Sequence, residues 1–218
     1  MEACRMKLKA LVLILALAAA PMATATPLRI LAFGDSLTEG YGLPRKHGLV
    51  PQLQDWLRAR GHDVLVLNGG LSGDTTAGGR VRIGYSLARH KPDAVIVELG
   101  GNDLLMGFSP AMVEDNLDSI LGQAGKTGRP LLLVGIASPD HDEPLSRDWA
   151  GIWPRMAAQH DALLMENLYQ PLFDLPDEGY RTMLQADGLH ASAEGVGLIV
   201  QSLGPKVEAL IEKAEGRR

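Results

Sequence analysis

From Leu28 onward, short and nearly unbroken apolar runs alternate with longer stretches in which apolar residues recur every three or four positions. The runs Leu28–Phe33, Val64–Asn68, Ala94–Leu99, Pro130–Ile136 and Ala162–Met165 predict five strands, because a strand covered on both faces has no polar side to alternate with. Helices are expected over Leu49–Arg60, Thr75–His90, Pro110–Lys126, Arg147–His160 and Ala193–Ala214. In the third of these, Val113, Leu117, Ile120 and Leu121 fall on one face. Strands and helices in alternation predict an α/β fold, a parallel sheet with helices on both faces. No internal repeat and no Pro/Ser linker interrupts the pattern, so residues 26–218 are expected to form one domain. Two irregular pieces, Ala137–Ser146 and Asn167–Asp187, are long for such a fold and are expected to form lids or binding walls.

Residues 1–25 follow a different pattern. Arg5, Lys7 and Lys9 precede an apolar run, Ala10–Ala20, which closes on Ala23-Thr24-Ala25. That order of charge, short apolar run and small residues predicts a signal peptide rather than a membrane span, and hence a periplasmic or secreted protein with no integral span after processing. Removing three basic residues and one acidic residue moves the formal net charge from −5 to −7. An acidic domain without a basic run is a poor partner for nucleic acid. The single cysteine, Cys4, leaves with the leader, which excludes disulfides, a cysteine nucleophile and thiolate metal sites from the mature chain.

Candidate chemistry concentrates just after the apolar runs, where an open parallel sheet binds its ligands. Three clusters follow strands: Gly34-Asp35-Ser36-Leu37-Thr38, Asn68-Gly69-Gly70-Leu71-Ser72-Gly73-Asp74 and Gly100-Gly101-Asn102-Asp103. A fourth, Asp187-Gly188-Leu189-His190, precedes the last helix. Ser36 fits a nucleophile at a strand-to-turn junction, although helix capping is the commoner fate of such a serine. His190 fits its general base, with Asp187 three residues earlier to hold the imidazole. Gly73, Asn102 and the Ser36 N–H can serve as donors to an oxyanion; singly, a turn glycine and a turn asparagine are the plainer readings. Asp35 reads as a turn or capping residue. His47, His62, His90, His141 and His160 have no carboxylate three residues earlier at a strand-to-helix junction and read as surface histidines.

These four blocks, in this order, closely resemble the SGNH (GDSL-type) hydrolases, and the fit runs along essentially the whole chain after residue 25. The segment Val97-Glu98-Leu99-Gly100-Gly101-Asn102-Asp103 is similar to the periplasmic arylesterase, acyl-CoA thioesterase I and lysophospholipase L1 subgroup. The resemblance implies a three-layer, flavodoxin-like α/β/α sandwich and hydrolysis without metal or other cofactor. It also implies small acyl ester or thioester substrates, lysophospholipids among them. Ser36, Asp187 and His190 would be catalytic, with Ser36, Gly73 and Asn102 forming the oxyanion hole. Two departures stand out. Ala191 follows His190 where many members have proline, a change expected to alter only the start of the next helix. The stretch Ala137–Pro144 is more acidic than is usual beside the acyl site.

Two other readings remain open at this stage. A carbohydrate O-deacetylase would use the same serine chemistry, with Trp149, Trp153, Tyr169 or Tyr180 stacking on sugar rings, but aromatics are only 5% of the chain, and Trp149 and Trp153 are spaced for a packed helix face. A non-catalytic flavodoxin-like module would bind through its glycine-rich turns, yet neither G-x-G-x-x-G nor a P-loop lysine stands at a strand end. A metal hydrolase lacks a third ligand at metal spacing beside Asp187 and His190. Leu104, Leu105, Met106 and Phe108 are candidates for an acyl groove or, equally, for core.

Overall fold

The computed structural model describes residues 26–136 and 148–217. Residues 1–25, expected to be a signal peptide, and the whole of the first long loop, Ala137–Ser146, with its acidic stretch, therefore lie outside the described residues. Five parallel strands, β1 (Leu28–Gly34), β2 (Val64–Gly70), β3 (Ala94–Glu98), β4 (Leu131–Val134) and β5 (Leu163–Met165), form one sheet in the order β2-β1-β3-β4-β5. This is the doubly wound, flavodoxin-like order, and all five predicted strands are present within two residues at their ends.

The two faces of β1 show why its sequence is apolar throughout. Leu28, Ile30 and Ala32 pack beneath α2 (Leu49–Ala59) and α9 (Ala193–Glu215), while Leu31 and Phe33 face α3 (Thr76–His90), α5 (Pro110–Gly125) and α6 (Ile152–Gln159). Alternate residues thus enter two separate cores, and neither face is left for polar side chains. The helices start where the sequence supplies a cap. Thr75, Ser109 and Ser192 each accept a hydrogen bond from the N–H three residues on, and Pro110 follows its cap at a position that needs no donor.

The helix expected over Arg147–His160 is broken. Residues 148–150 are helical, Gly151 turns, and α6 begins at Ile152. Pro154 thereby falls in the first turn of α6, where a proline ring is tolerated. Four short helices, α1 (Ser36–Glu39), α4 (Gly101–Leu105), α7 (Gln170–Phe173) and α8 (Asp177–Thr182), occupy segments too short to show periodicity. The last two turn the second long loop into a folded wall. Among the described residues, no helix is long and apolar enough to cross a membrane.

Candidate active site

β1 lies between β2 and β3, so the connections leaving β1 and β3 diverge to opposite sides and open a crevice at the carboxyl edge. Ser36 heads α1 in this crevice, with Asp35 as its N-cap accepting the Leu37 N–H at 2.9 Å. The first-turn N–H groups of a helix have no partner within it and point outward. His190 arrives from the other end of the chain, 154 residues away, and its Nε2 lies 2.9 Å from Ser36 Oγ. Its Nδ1 lies 2.7 Å from Asp187 Oδ2.

Asp187 also accepts the N–H groups of Leu189 and His190 on Oδ1, both at 3.0 Å. The Leu189 N–H foremost, and then the imidazole, hold its carboxyl down at about 2, so it is ionised throughout the neutral range. A carboxylate can only accept, so Nδ1 carries the imidazole proton and donates it. Nε2 then presents a lone pair to the Ser36 hydroxyl.

The residues read as oxyanion donors line the same cavity as Ser36. Gly73 adopts φ +76° at an open turn, with nothing within 4 Å of where a Cβ would sit. Asn102 is the second residue of α4, and its Nδ2 donates to Asp35 Oδ2 at 3.1 Å and to the Asp74 carbonyl at 2.9 Å. Asp35 is therefore more than a cap. The Asn102 and Gly73 loops are fastened together underneath: buried Asp103 accepts the Thr76 N–H and hydroxyl at 2.9 and 2.6 Å. Arg82 reaches Asp74, Gly69 O and Gly34 O with one guanidinium, which fixes the ends of β1 and β2.

Behind Asp35 sits Glu98, the one charged residue of β3, fully buried. Its Oε2 accepts the Thr38 hydroxyl at 2.7 Å, and its Oε1 has no partner among the described residues. Burial, and then the neighbouring Asp35, push its pKa well above the usual carboxylate range, so it is protonated more readily than an exposed glutamate. Burial likewise raises Asp35 to about 6.

A cavity of about 450 Å³ opens over Ser36 and His190. Leu104, Leu105, Ile136, Tyr169, Phe173 and Tyr180 make its apolar wall. Leu105 is exposed, which places it in the groove rather than the core, whereas Met106 is exposed outside the cavity lining. Trp149 and Trp153 are 3% and 1% exposed and pack on each other beneath the sheet, so neither can stack on a sugar. Of the histidines read as surface residues, His141 lies outside the described residues and the other four are half-buried; His62 Nε2 stands 2.9 Å from a Glu208 carboxylate oxygen and His160 Nε2 2.8 Å from one of Asp118.

Three residues near His190 carry contacts that the sequence reading did not foresee. Tyr169 Oη is 3.0 Å from Leu189 O and accepts the Ala191 N–H at 3.1 Å. Gln185 binds the His190 and Ala191 carbonyls, and the ring of Tyr41 stands 4.8 Å from the imidazole. The alanine after His190 thus does more than alter the helix start, since it supplies an N–H that proline lacks.

The sequence signature of the GDSL-like lipase/acylhydrolase family matches residues 32–198. The chain belongs to this family. It is 35% identical over 183 residues to the esterase TesA of Pseudomonas aeruginosa, covering 84% of this chain and 89% of that one. It is 30% identical to thioesterase 1/protease 1/lysophospholipase L1 of Escherichia coli, covering 84% of each chain. The crystal structure of the psychrotrophic esterase EstA from Pseudoalteromonas sp., inhibited by monoethylphosphonate, superposes with a TM-score of 0.76 at 26% identity, over 84% of this chain and 98% of that one. Membership in this family makes the protein an ester-hydrolysing serine hydrolase with the three-layer α/β/α fold.

Proposed function

We propose that Ser36 is the nucleophile, His190 the general base and Asp187 the residue that orients it, in the hydrolysis of acyl esters and thioesters. The observation that carries this reading is the unbroken line from Ser36 Oγ through both ring nitrogens of His190 to Asp187, at 2.9 and 2.7 Å, on the floor of the cavity. Ser36 Oγ attacks the acyl carbonyl as its proton passes to His190 Nε2. Asp187 stabilises the imidazolium that results. The tetrahedral oxyanion takes hydrogen bonds from the Ser36 and Gly73 N–H groups and from Asn102 Nδ2. Both Nδ2 hydrogens already have protein acceptors, so one must be exchanged. The Asp74 carbonyl is neutral and so the weaker acceptor, and its bond is the one to yield. Collapse expels the alcohol or thiol with the proton from His190, and water, activated by the same imidazole, releases the acid.

The apolar wall from Leu104 to Tyr180 supports substrates whose acyl part is a hydrocarbon chain or ring, and lysophospholipids fit that chemistry. The names of the P. aeruginosa and E. coli relatives, esterase and thioesterase/lysophospholipase, agree with it. The leader-like order of residues 1–25 supports a periplasmic or secreted enzyme consisting of the domain 26–218.

A phosphonate ester tests the assignment, since a phosphonate inhibits the related EstA. Mass should appear on the peptide bearing Ser36 and on no other, and Ser36→Ala should abolish both labelling and turnover. An unlabelled Ser36, or full activity in Ser36→Ala, overturns it. N-terminal sequencing of the exported protein tests the leader: a start at Thr26 supports it, and an intact Met1 in the exported fraction removes it.

A further inference from the structure

Six backbone groups belong to Leu189, His190 and Ala191, and every one has a partner. Asp187 Oδ1 accepts the N–H groups of Leu189 and His190. The Gln185 N–H donates to the His190 carbonyl at 2.7 Å. Gln185 Nε2 donates to the Ala191 carbonyl at 3.0 Å and to the Tyr41 carbonyl at 2.9 Å. The remaining two, the Leu189 carbonyl and the Ala191 N–H, converge on one atom, Tyr169 Oη, which donates to the first and accepts from the second.

These bonds are of two kinds. Those of Asp187 and the Gln185 backbone run within residues 185–191, so they fix the shape of the loop but not where it stands. Those of Tyr169 and the Gln185 side chain run to other parts of the fold. Tyr169 lies 22 residues before Ala191 and just beyond β5, so its hydroxyl ties the loop to the sheet. Tyr41 lies just after α1, so the Gln185 amide ties the loop to the segment that carries Ser36. Tyr169 is itself buried, with its ring against Phe173 at 6.1 Å, which is why its hydroxyl is a fixed rather than a swinging contact. Burial also raises its pKa, keeping the donor proton in place.

We infer that Tyr169 and Gln185 are positioning residues for His190, fixing the loop on two sides so that Nε2 meets Ser36 Oγ at hydrogen-bonding distance. The inference rests on the reading of His190 as the base. A misplacement of order 1 Å at a reacting group costs about a hundredfold in rate, so loss of one tie should be visible without loss of the fold.

The test compares Tyr169→Phe with the parent enzyme on a nitrophenyl ester, with Ser36 phosphonylation as a second rate and circular dichroism as the check on folding. Phenylalanine keeps the ring in its packing place and removes only the hydroxyl. The expected result is a kcat about ten- to a hundredfold lower, a KM within about twofold, and phosphonylation slowed in proportion to kcat. The proton resonance of the Nδ1–H shared with Asp187 should broaden or shift. A role in packing alone would lower the melting temperature and leave kcat, its pH profile and the resonance unchanged in the folded protein, and that result overturns the inference. Should Tyr169→Phe be recovered unfolded, Gln185→Met cuts the opposite tie and reads the same quantities, with the same kcat-selective fall expected and an unchanged kcat overturning. His190→Ala, run alongside, separates the two ideas. Full activity there removes the base itself, whereas an inactive His190→Ala beside an unimpaired Tyr169→Phe removes only the positioning role.

Discussion

Asn102 Nδ2 lies 3.1 Å from Asp35 Oδ2, so the side chain proposed to meet the oxyanion is held by the residue immediately before Ser36. An ionised Asp35 accepts this bond well and a protonated one less well. Burial sets its pKa at about 6. Turnover is therefore expected to fall as the pH drops through about 6 and this bond weakens. Asp35→Asn should lower kcat about ten- to a hundredfold and make the acid limb of the kcat profile shallower. A profile identical to that of the parent would show that Asp35 only caps α1.

Replacing Asn102 by alanine removes a proposed oxyanion donor while leaving Ser36 and His190 in place. The expected loss is about a hundred- to a thousandfold in kcat with little change in KM. Steady-state kinetics on one ester decides it, and a loss confined to KM would place Asn102 in substrate binding instead.

Asp187→Asn keeps the size of the side chain but allows the imidazole to settle in the wrong tautomer. A fall of up to about 10⁴-fold in kcat is expected, by analogy with other triads. The stability consequence has its own sign. The folded pKa lies below the unfolded value, so this contribution is present above about pH 4 and lost as the pH falls through about 2. Acid melts of Asp187→Asn should accordingly be flatter below pH 4 than those of the parent.

Glu98 and Asp35 act in the opposite sense. Both folded pKa values are raised, so the stability linked to them is complete below about pH 4 and is lost as the pH rises, for Asp35 through about 6. Glu98→Gln keeps an oxygen for the Thr38 hydroxyl and removes the ionisable proton. Melting temperatures measured from pH 4 to 8 should decline less for Glu98→Gln than for the parent, and parallel curves would show that Glu98 does not titrate with folding.

Gly100 has φ +123°, and a Cβ there would stand 2.8 Å from the Trp153 ring. Gly100→Ala combines backbone strain with overpacking and should cost about 2–4 kcal/mol of unfolding free energy, read by chemical denaturation. Because Asn102 is two residues on, kcat should fall as well. An undiminished kcat would mean that α4 absorbs the strain without moving.

How much of this was legible in the sequence depends on the distance over which each feature is determined. The strands were, because burial on both faces leaves an apolar run that no loop imitates. That Ser36, Gly73 and Asn102 would stand at one edge was, because a parallel sheet sends strand ends there; His190 follows no strand and was drawn in by Asp187 three residues earlier. Glu98 left a visible trace, a lone carboxylate inside the apolar run of β3, but its partner Asp35 is 63 residues away, and only pairing of β1 with β3 brings them together. Tyr169 was weighed only as a ring that might stack on a sugar, because the segment after β5 was read as a loop wall rather than as a strand end like the others. The short helices α7 and α8 that shape this wall leave no periodic signal.

The distance of 154 residues between Ser36 and His190 also has a meaning in time. During synthesis Ser36, Asp35, Gly73 and Asn102 emerge first, and His190, the proposed base, emerges later, on the loop ahead of α9. On that proposal no partial chain ending before the loop contains a working pair, so the first appearance of ester hydrolysis in a refolding experiment should mark the docking of the 185–191 loop.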